Sequence, residues 1–256
     1  MTILVVRPSP DAEALAEQLG QAGYRALAHP LLTTGEGCEF AEVPARLKTL
    51  QPGDAVIAVS PNAVSYAADA LRQAGDYWPA DINYYAVGQR TASVFAQETG
   101  RMVASPSNSQ TSEGLLGLPE LASMQGRRVV ILRGNGGRDL IARTLSERGA
   151  QVDYCECYQR IWLSNDLSSE CNQWHSLGIT TLVVTSGEQL AHLFNNVTPE
   201  QQQWLVTCHL LIPSARIASQ AKQLGFSQLT QVESAANTTL FNTLRELMHK
   251  GTIHND

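Results

Sequence analysis

The chain has 256 residues, 43% hydrophobic and 16% charged, with a formal net charge of −6. That length suffices for one large domain or two small ones with real cores, while the acidic balance leaves no basic footprint for nucleic acid. No run of about 18 apolar residues exists, so no membrane span is expected, and five cysteines, an odd count, suit a reducing cytosol better than a disulfide framework.

The opening MTILVVRPSP runs straight into a strand-like apolar stretch, without the charged n-region and cleavage site of a signal peptide. The expected location is cytoplasmic. Arg7, a polar turn at Pro8-Ser9 and an amphipathic helix follow the first strand. The segment HPLLTTGEGCEF (29–40) is Gly-rich and irregular, and suits a linker. AVIAV gives the next apolar strand, with Ser60-Pro61 opening a helix, and YAVGQRTA gives another strand and turn through Gly88 and Thr91. The pattern restarts at Val129 with VVIL, the loop RGNGGRD, and a helix in which Leu140, Ile141, Thr144 and Leu145 form one stripe. CECYQRIWLSND (155–166) follows, then TLVVT with the turn Thr185-Ser186-Gly187, then PSARIA with the turn Ser214-Ala215. From about Met248 the tail is polar and expected to fray.

One offset relates the two halves. Arg7 falls on Arg133, Ser60 on Ser186 and Arg90 on Arg216, each 126 residues on (133 − 7 = 126). Strands alternating with helices imply parallel sheets covered on both faces. The expected fold class is therefore α/β, with two similar Rossmann- or flavodoxin-like domains. The segments 29–40 and 155–166 occupy equivalent places in the repeat. If both are crossings, one domain is discontinuous (1–32 plus 162–256), the other spans 38–154, and 33–37 and 155–161 are linker strands. Two domains joined in that way would have a cleft between them.

Several familiar chemistries do not fit. RGNGGRD lacks the Gly-Lys-Ser/Thr ending of a Walker A loop. As a dinucleotide fingerprint it offers Gly134, Gly136 and Asp139 without the third glycine, although Glu156 lies where a ribose-binding acid would stand. Its repeat counterpart, RPSPDAE, has no glycine, so the position needs only a polar turn. Cys155 and Cys157 form C-x-C with no second pair, and Cys171 with His175 makes only two ligands, so no metal site is expected. The cysteines read as small buried hydrophobes and one exposed thiol. His29, His175, His192 and His209 have no nucleophile partner at a recognisable spacing and read as structural. Six turns at strand ends remain: Pro8-Ser9, Ser60-Pro61, Gly88-Gln89, Asn135-Gly136, Ser186-Gly187 and Ser214-Ala215. Each would offer backbone N–H groups to an anion, worth about 0.3–1 kcal/mol apiece. The plainer reading of Ser60 and Ser186 is helix capping.

Taken together, ILVVRPSP, AVSPNAVSYA, YAVGQRTA, ILRGNGGRDLIARTLSERGAQVDYCECYQR and VVTSGEQL resemble the uroporphyrinogen-III synthases of the enterobacterial type, from the first strand to about residue 230. The resemblance implies a monomer of two α/β domains joined by a two-stranded linker, with an open cleft. It further implies a cofactor-free reaction in which hydroxymethylbilane, a linear tetrapyrrole octacarboxylate, closes to uroporphyrinogen III. Water is lost, and ring D is inverted through a spirocyclic pyrrolenine. The bilane would arrive by transient hand-off from the preceding pathway enzyme.

By the same resemblance Tyr158, in CECYQR, helps the hydroxyl leave. Thr91 matches a threonine near bound product, and Ser60, Gly88, Gly134, Thr185, Ser186 and Gly187 match substrate-facing turns. The residues add one argument of their own: the repeat counterpart of Tyr158 is Leu32, so a phenol stands where packing alone would accept an apolar side chain. Ile217 occupies a place where the family often has threonine, which puts a hydroxyl role there in doubt. Arg7 and Arg133 follow directly on apolar strands, where they would meet substrate carboxylates or pair with helix acids. Two other functions fit the pattern: a Rossmann-like nucleotide or sugar-nucleotide enzyme, and a non-catalytic two-domain solute-binding module.

Overall fold

The computed structural model describes residues 1–252, with side chains up to Met248. In chain order the elements are β1 (Thr2–Val5), α1 (Asp11–Gln21), β2 (Arg25–Ala28), β3 (Leu32–Glu36), α2 (Val43–Lys48), β4 (Ala55–Ala58), α3 (Pro61–Ala74), β5 (Asn83–Ala86), α4 (Gln89–Thr99), α5 (Ser112–Leu116) and β6 (Arg128–Gly134). They continue as α6 (Leu140–Glu147), β7 (Gln151–Trp162), α7 (Ser168–Ser176), β8 (Ile179–Val183), α8 (Gly187–Asn195), α9 (Pro199–Leu205), β9 (His209–Ile212), α10 (Ala215–Gln223), β10 (Leu229–Gln231) and α11 (Asn237–Thr252). Among the described residues no helix is long and apolar enough to cross a membrane.

The chain divides into two compact units, Met1–Thr33 with Ile161–Asp256, and Thr34–Arg160. The first is built on a five-stranded sheet in the order β10-β9-β8-β1-β2, with every neighbouring pair parallel. The second is built on the order β3-β7-β6-β4-β5, in which β7, β6, β4 and β5 are parallel. Its edge strand β3 runs the other way: the Leu163 N–H donates to the Leu31 carbonyl, and the Gly37 N–H to the Cys157 carbonyl.

The apolar strands are buried on both faces, as parallel strands must be. In the first unit Leu4, Leu182 and Leu210 pack into one cluster, while Ile3, Val5, Val183 and Leu211 pack into another. In the second unit Val56, Ala58, Val130 and Leu132 face one way and Ala55, Ile57, Val129 and Ile131 the other. This is the period of two of an extended chain, with a core on each side of the sheet. Each Val, Leu or Ile so buried contributes about 1.5–3 kcal/mol. Local signals mark the helix ends. In α3, Ser60 accepts the Ala63 N–H, Pro61 fills the first position, and Gly75 closes the helix in the left-handed conformation at φ 68°.

The offset read in the sequence reappears in the sheets. β1 and β6 start 126 residues apart (128 − 2), as do β2 and β7 (151 − 25) and β5 and β9 (209 − 83). β4 and β8 overlap under the same shift. Ala104, bridged to Tyr85, stands 126 before Thr230 of β10. Under this shift the two sheets have the same strand order, and each sheet draws strands from both halves of the sequence.

Three local expectations change. The segment 29–40 is irregular only in part, because Leu32–Glu36, which covers most of the expected linker strand 33–37, is extended and lies beside β7. Its Gly37 allows a close backbone approach, since a Cβ there would come within 2.7 Å of the Tyr158 nitrogen. Residues 155–161, expected as a strand, are extended, as part of the 12-residue strand β7. The turn Asn135-Gly136 does not open a helix. α6 starts only at Leu140, because Gly136 and Gly137, at φ 77° and 120°, extend the loop, and Asn135 bonds through its side chain to the Arg160 backbone. Helix α11 carries on past Met248 to Thr252, where fraying was expected; residues 253–256 of that tail lie outside the described residues.

Candidate functional site

In open parallel sheets ligands bind beyond the carboxyl ends of the strands. In the second unit the adjacent strands β7, β6, β4 and β5 present Tyr158, Gly134, Ser60 and Gly88 at that level. The placing of Tyr158 begins with a break in register. Arg133 is opposite Glu156, but the next pair is Gly134 with Tyr158, so Cys157 is an extra residue, a bulge. Alternation therefore fails here, and Cys157 and Tyr158 are both buried. The Cys157 thiol turns to the carbonyls of Ala63 and Arg133, at 3.3 and 3.5 Å.

Tyr158 is only 8% exposed. Its ring lies against the backbone of Gly134, where a Cβ would come 2.6 Å from Cζ. Tyr66 of α3 stacks on the ring, with centroids 5.8 Å apart and planes 20° apart. The Tyr66 hydroxyl donates to Thr34 Oγ1 at 3.1 Å. Ser60 Oγ accepts the N–H of Ala63 at 3.2 Å and donates to the Tyr158 hydroxyl at 3.1 Å. Gly134 and Ser60, which the sequence singles out as donor turns, thus also seat the phenol. Tyr66, Thr34 and Gly37 escaped sequence reasoning. The available signals were a tyrosine two turns into a helix opened by Ser60, and two glycines, Gly35 and Gly37, at the end of an extended segment.

Around this centre, Gly88 caps α4 without a side chain, and the Gln89 N–H is taken by Gln110 Oε1 at 3.1 Å. Thr91 is buried in the first turn of α4. Arg133 is held internally by Asp139 at 3.3 Å, by the Gly136 carbonyl at 3.2 Å, and over the Tyr154 ring at 4.4 Å.

The first unit repeats the scheme. Ser186 caps α8 by accepting the Gln189 N–H at 3.1 Å. The buried Gln189 side chain accepts from the Thr185 N–H at 3.1 Å and from its hydroxyl at 3.2 Å. The Gly187 carbonyl accepts from Gln220 at 3.0 Å, and Ser214 caps α10. Arg7 is buried, pairs with Asp11 at 2.9 Å and donates to Asn237. Arg7 and Arg133 thus each pair with an acid at the start of a helix, Asp11 and Asp139. Capping is likewise observed for Ser60 and Ser186, and it leaves the backbone N–H groups that precede the capped position without intrahelical partners.

Cys38 is exposed and the other four cysteines are buried. Burial pushes the thiols of Cys155, Cys157 and Cys208 up to about 12 and that of Cys171 to about 11, so they are protonated at neutral pH. His29 and His175 lie edge-on to Trp174 and Trp204, His192 stacks on Trp162 at 3.9 Å, and His209 bonds Thr230 at 2.8 Å. Among the described residues no three His, Cys, Asp or Glu side chains gather as metal ligands would.

Comparison with known proteins gives one consistent answer. Residues 13–242 match the family described as uroporphyrinogen-III synthase HemD. The uroporphyrinogen-III synthase of Salmonella typhimurium is 42% identical over 247 residues, 96% of this chain and 100% of that protein. The Escherichia coli uroporphyrinogen-III synthase is 38% identical with the same coverage. Among solved structures, a mutant uroporphyrinogen III synthase from Thermus thermophilus superimposes with a TM-score of 0.68 at 18% identity, covering 97% of this chain and 99% of that one. The Helicobacter pylori uroporphyrinogen-III synthetase gives 0.59 at 17% identity, covering 96% and 99%. These two structures speak for the α/β fold alone.

Proposed function

The chain belongs to the uroporphyrinogen-III synthase family, and from that premise we infer how its residues divide the work of converting hydroxymethylbilane to uroporphyrinogen III. Membership replaces the nucleotide-enzyme and solute-binding alternatives. The reaction closes a linear tetrapyrrole with loss of water and inversion of ring D. In our reading Tyr158 gives its proton to the departing hydroxyl as the C–O bond breaks, so water leaves and an azafulvene cation forms. The substituted carbon of ring D attacks that cation, giving the spirocyclic pyrrolenine. Fragmentation, reclosure at the free position and loss of a ring proton yield the inverted isomer. A positioned acid contributes about 10²–10⁴-fold. Holding the bilane so that the hindered attack wins contributes through orientation.

The substrate's carboxylates are received by backbone donors at the strand ends, from the turns at Ser60, Gly88, Gly134 and Thr91 in one unit and at Thr185, Ser186 and Gly187 in the other. Helix N-termini favour anions there without a basic surface. Arg7, paired with Asp11 at the start of α1, is read as a further contact for a substrate carboxylate. The enzyme works as a cytoplasmic monomer without a cofactor, taking its substrate by transient hand-off from the enzyme that makes it.

The observation that carries this reading is the buried Tyr158, aimed by a bulge and seated on Gly134, where the repeat has Leu32 and Pro8. The test is Tyr158→Phe with freshly prepared hydroxymethylbilane, with initial rates corrected for spontaneous closure. Turnover should fall by about 10²-fold. The enzymatic product should remain isomer III, while isomer I from uncatalysed closure rises in the mixture. A phenylalanine variant with unchanged turnover would reduce Tyr158 to a packing residue.

A further inference from the structure

Ser60 and Tyr158 are 98 residues apart, yet their hydroxyls meet at 3.1 Å, with Ser60 as the donor. Serine has one proton, and Ser60 directs it to the phenol oxygen while its own lone pair holds the Ala63 N–H. Tyr158 is the acceptor in this pair, so its own proton is not used on Ser60. The donors run one way: Ala63 N–H to Ser60, Ser60 O–H to Tyr158, Tyr158 O–H onward. We propose that Ser60 is a positioning residue for Tyr158, turning the phenol's proton away from the helix cap and supporting the charge left on the phenol oxygen when that proton departs.

The inference rests on the reading of Tyr158 as proton donor. Hydrogen bonds in a chain polarise one another in the same sense. The Ser60 bond grows stronger as Tyr158 loses its proton, because a bond to an ionised acceptor is roughly twice as strong as a neutral one. The 14-residue helix α3, which Ser60 caps, adds the positive end of its dipole at the same place. An interaction that strengthens only as the reaction proceeds belongs to kcat rather than KM. Tyr66 does not compete for this position, since its hydroxyl donates to Thr34. Capping alone does not require the second bond. Ser186 caps α8 in the same manner, while Leu32 stands at the repeat counterpart of Tyr158.

The experiment is a double-mutant cycle on the full chain, with Ser60→Ala, Tyr158→Phe and the pair. Ser60→Ala should lower kcat about ten- to hundredfold with little change in KM, and Ser60→Thr should restore most of it. In the Tyr158→Phe background Ser60→Ala should change kcat by less than about twofold, because the group it acts through is gone. Should loss of the cap disturb folding, Ser60→Gly keeps the helix start nearly intact while removing the donor, and should show the same kcat loss. Multiplicative losses in the double mutant would overturn the proposal, since Ser60 would then act independently of the phenol. Wild-type kcat in Ser60→Ala or Ser60→Gly, with Tyr158→Phe impaired, would also overturn it and leave the role of Tyr158 standing. An unimpaired Tyr158→Phe would remove both.

Discussion

Replacing Gly134 with alanine tests whether the seat of Tyr158 matters as much as its hydroxyl. Gly134 is not among the glycines at positive φ, so its backbone accepts an L side chain and the penalty is confined to contacts. The added Cβ would stand 2.6 Å from Tyr158 Cζ and 2.9 Å from each Cε. Carbon atoms pack at about 3.5–4.0 Å, so the ring must retreat by about 1 Å. That movement stretches the 3.1 Å bond from Ser60 beyond useful length and disturbs the stack with Tyr66. Overpacking of this kind costs about 1–3 kcal/mol of stability, and a misplacement of about 1 Å at a reacting group costs up to about 10²-fold in rate. The assay is kcat and the ratio of isomer III to isomer I, with urea unfolding of the same preparations. In a Tyr158→Leu background, which reproduces the residue at position 32, the stability cost of Gly134→Ala should largely vanish. Wild-type turnover in Gly134→Ala, or an undiminished stability cost beside leucine, would refute the steric argument.

Two further predictions concern binding and pH. If affinity is spread over many backbone donors, Ser186→Ala should weaken product binding by about 1 kcal/mol or less, measured by titration with uroporphyrinogen III under reducing conditions; abolished binding in a folded variant would contradict distribution. Burial lowers His29 from its ordinary value of 6.5, partly offset by Glu170, and burial lowers His209 as well. A lowered histidine binds fewer protons folded than unfolded. Its contribution to stability is therefore complete above about pH 6.5 and is lost as pH falls through the folded value. Urea midpoints should decline from pH 7.5 to 5.5, and less steeply in His29→Gln/His209→Gln. An unchanged slope in that variant would show that other groups set the acid limb.

Much of the fold was legible because it rests on signals carried by single segments. Four-residue apolar strands such as Ala55–Ala58, followed by Ser60-Pro61, announce buried strands and capped helices without reference to the rest of the chain. The offset of 126 is equally local to compare. What sequence could not supply depends on residues meeting across strands. The bulge at Cys157 exists only relative to β6. Gly37 and Gly134 look like linker and loop glycines until the backbone or ring they admit is placed beside them. Asn135-Gly136 reads as a helix start by analogy with Ser60-Pro61, and fails because Asn135 is drawn to the backbone of Arg160. In the candidate site, Tyr158 is reached through family resemblance and repeat asymmetry together, whereas Tyr66 offers only its place two turns into the helix that Ser60 opens.

The repeat also gives a physical basis for separating scaffold from chemistry. Features present in both halves answer needs common to both: Arg7 and Arg133 each neutralise an aspartate at a helix start, and Ser60 and Ser186 each cap a helix. Such features suit a ligand that is itself repetitive, four pyrroles bearing the same acidic side chains, since like turns can receive like carboxylates. The reaction, however, joins two unlike ends of the bilane, one losing its hydroxyl and the other having ring D inverted, and a scaffold that treated all rings alike could not tell those ends apart. Chemistry should therefore sit where the halves differ. The concerted difference is the set Tyr158 and Gly134 against Leu32 and Pro8. The glycine is small because the tyrosine is large, and the bulge turns that tyrosine onto it. A packing substitution would have left a shape-compatible pair in each half with no polar consequence. Here the departure from symmetry delivers one phenol to the Ser60 cap, which makes asymmetry itself the property that the Gly134 and Tyr158 variants interrogate.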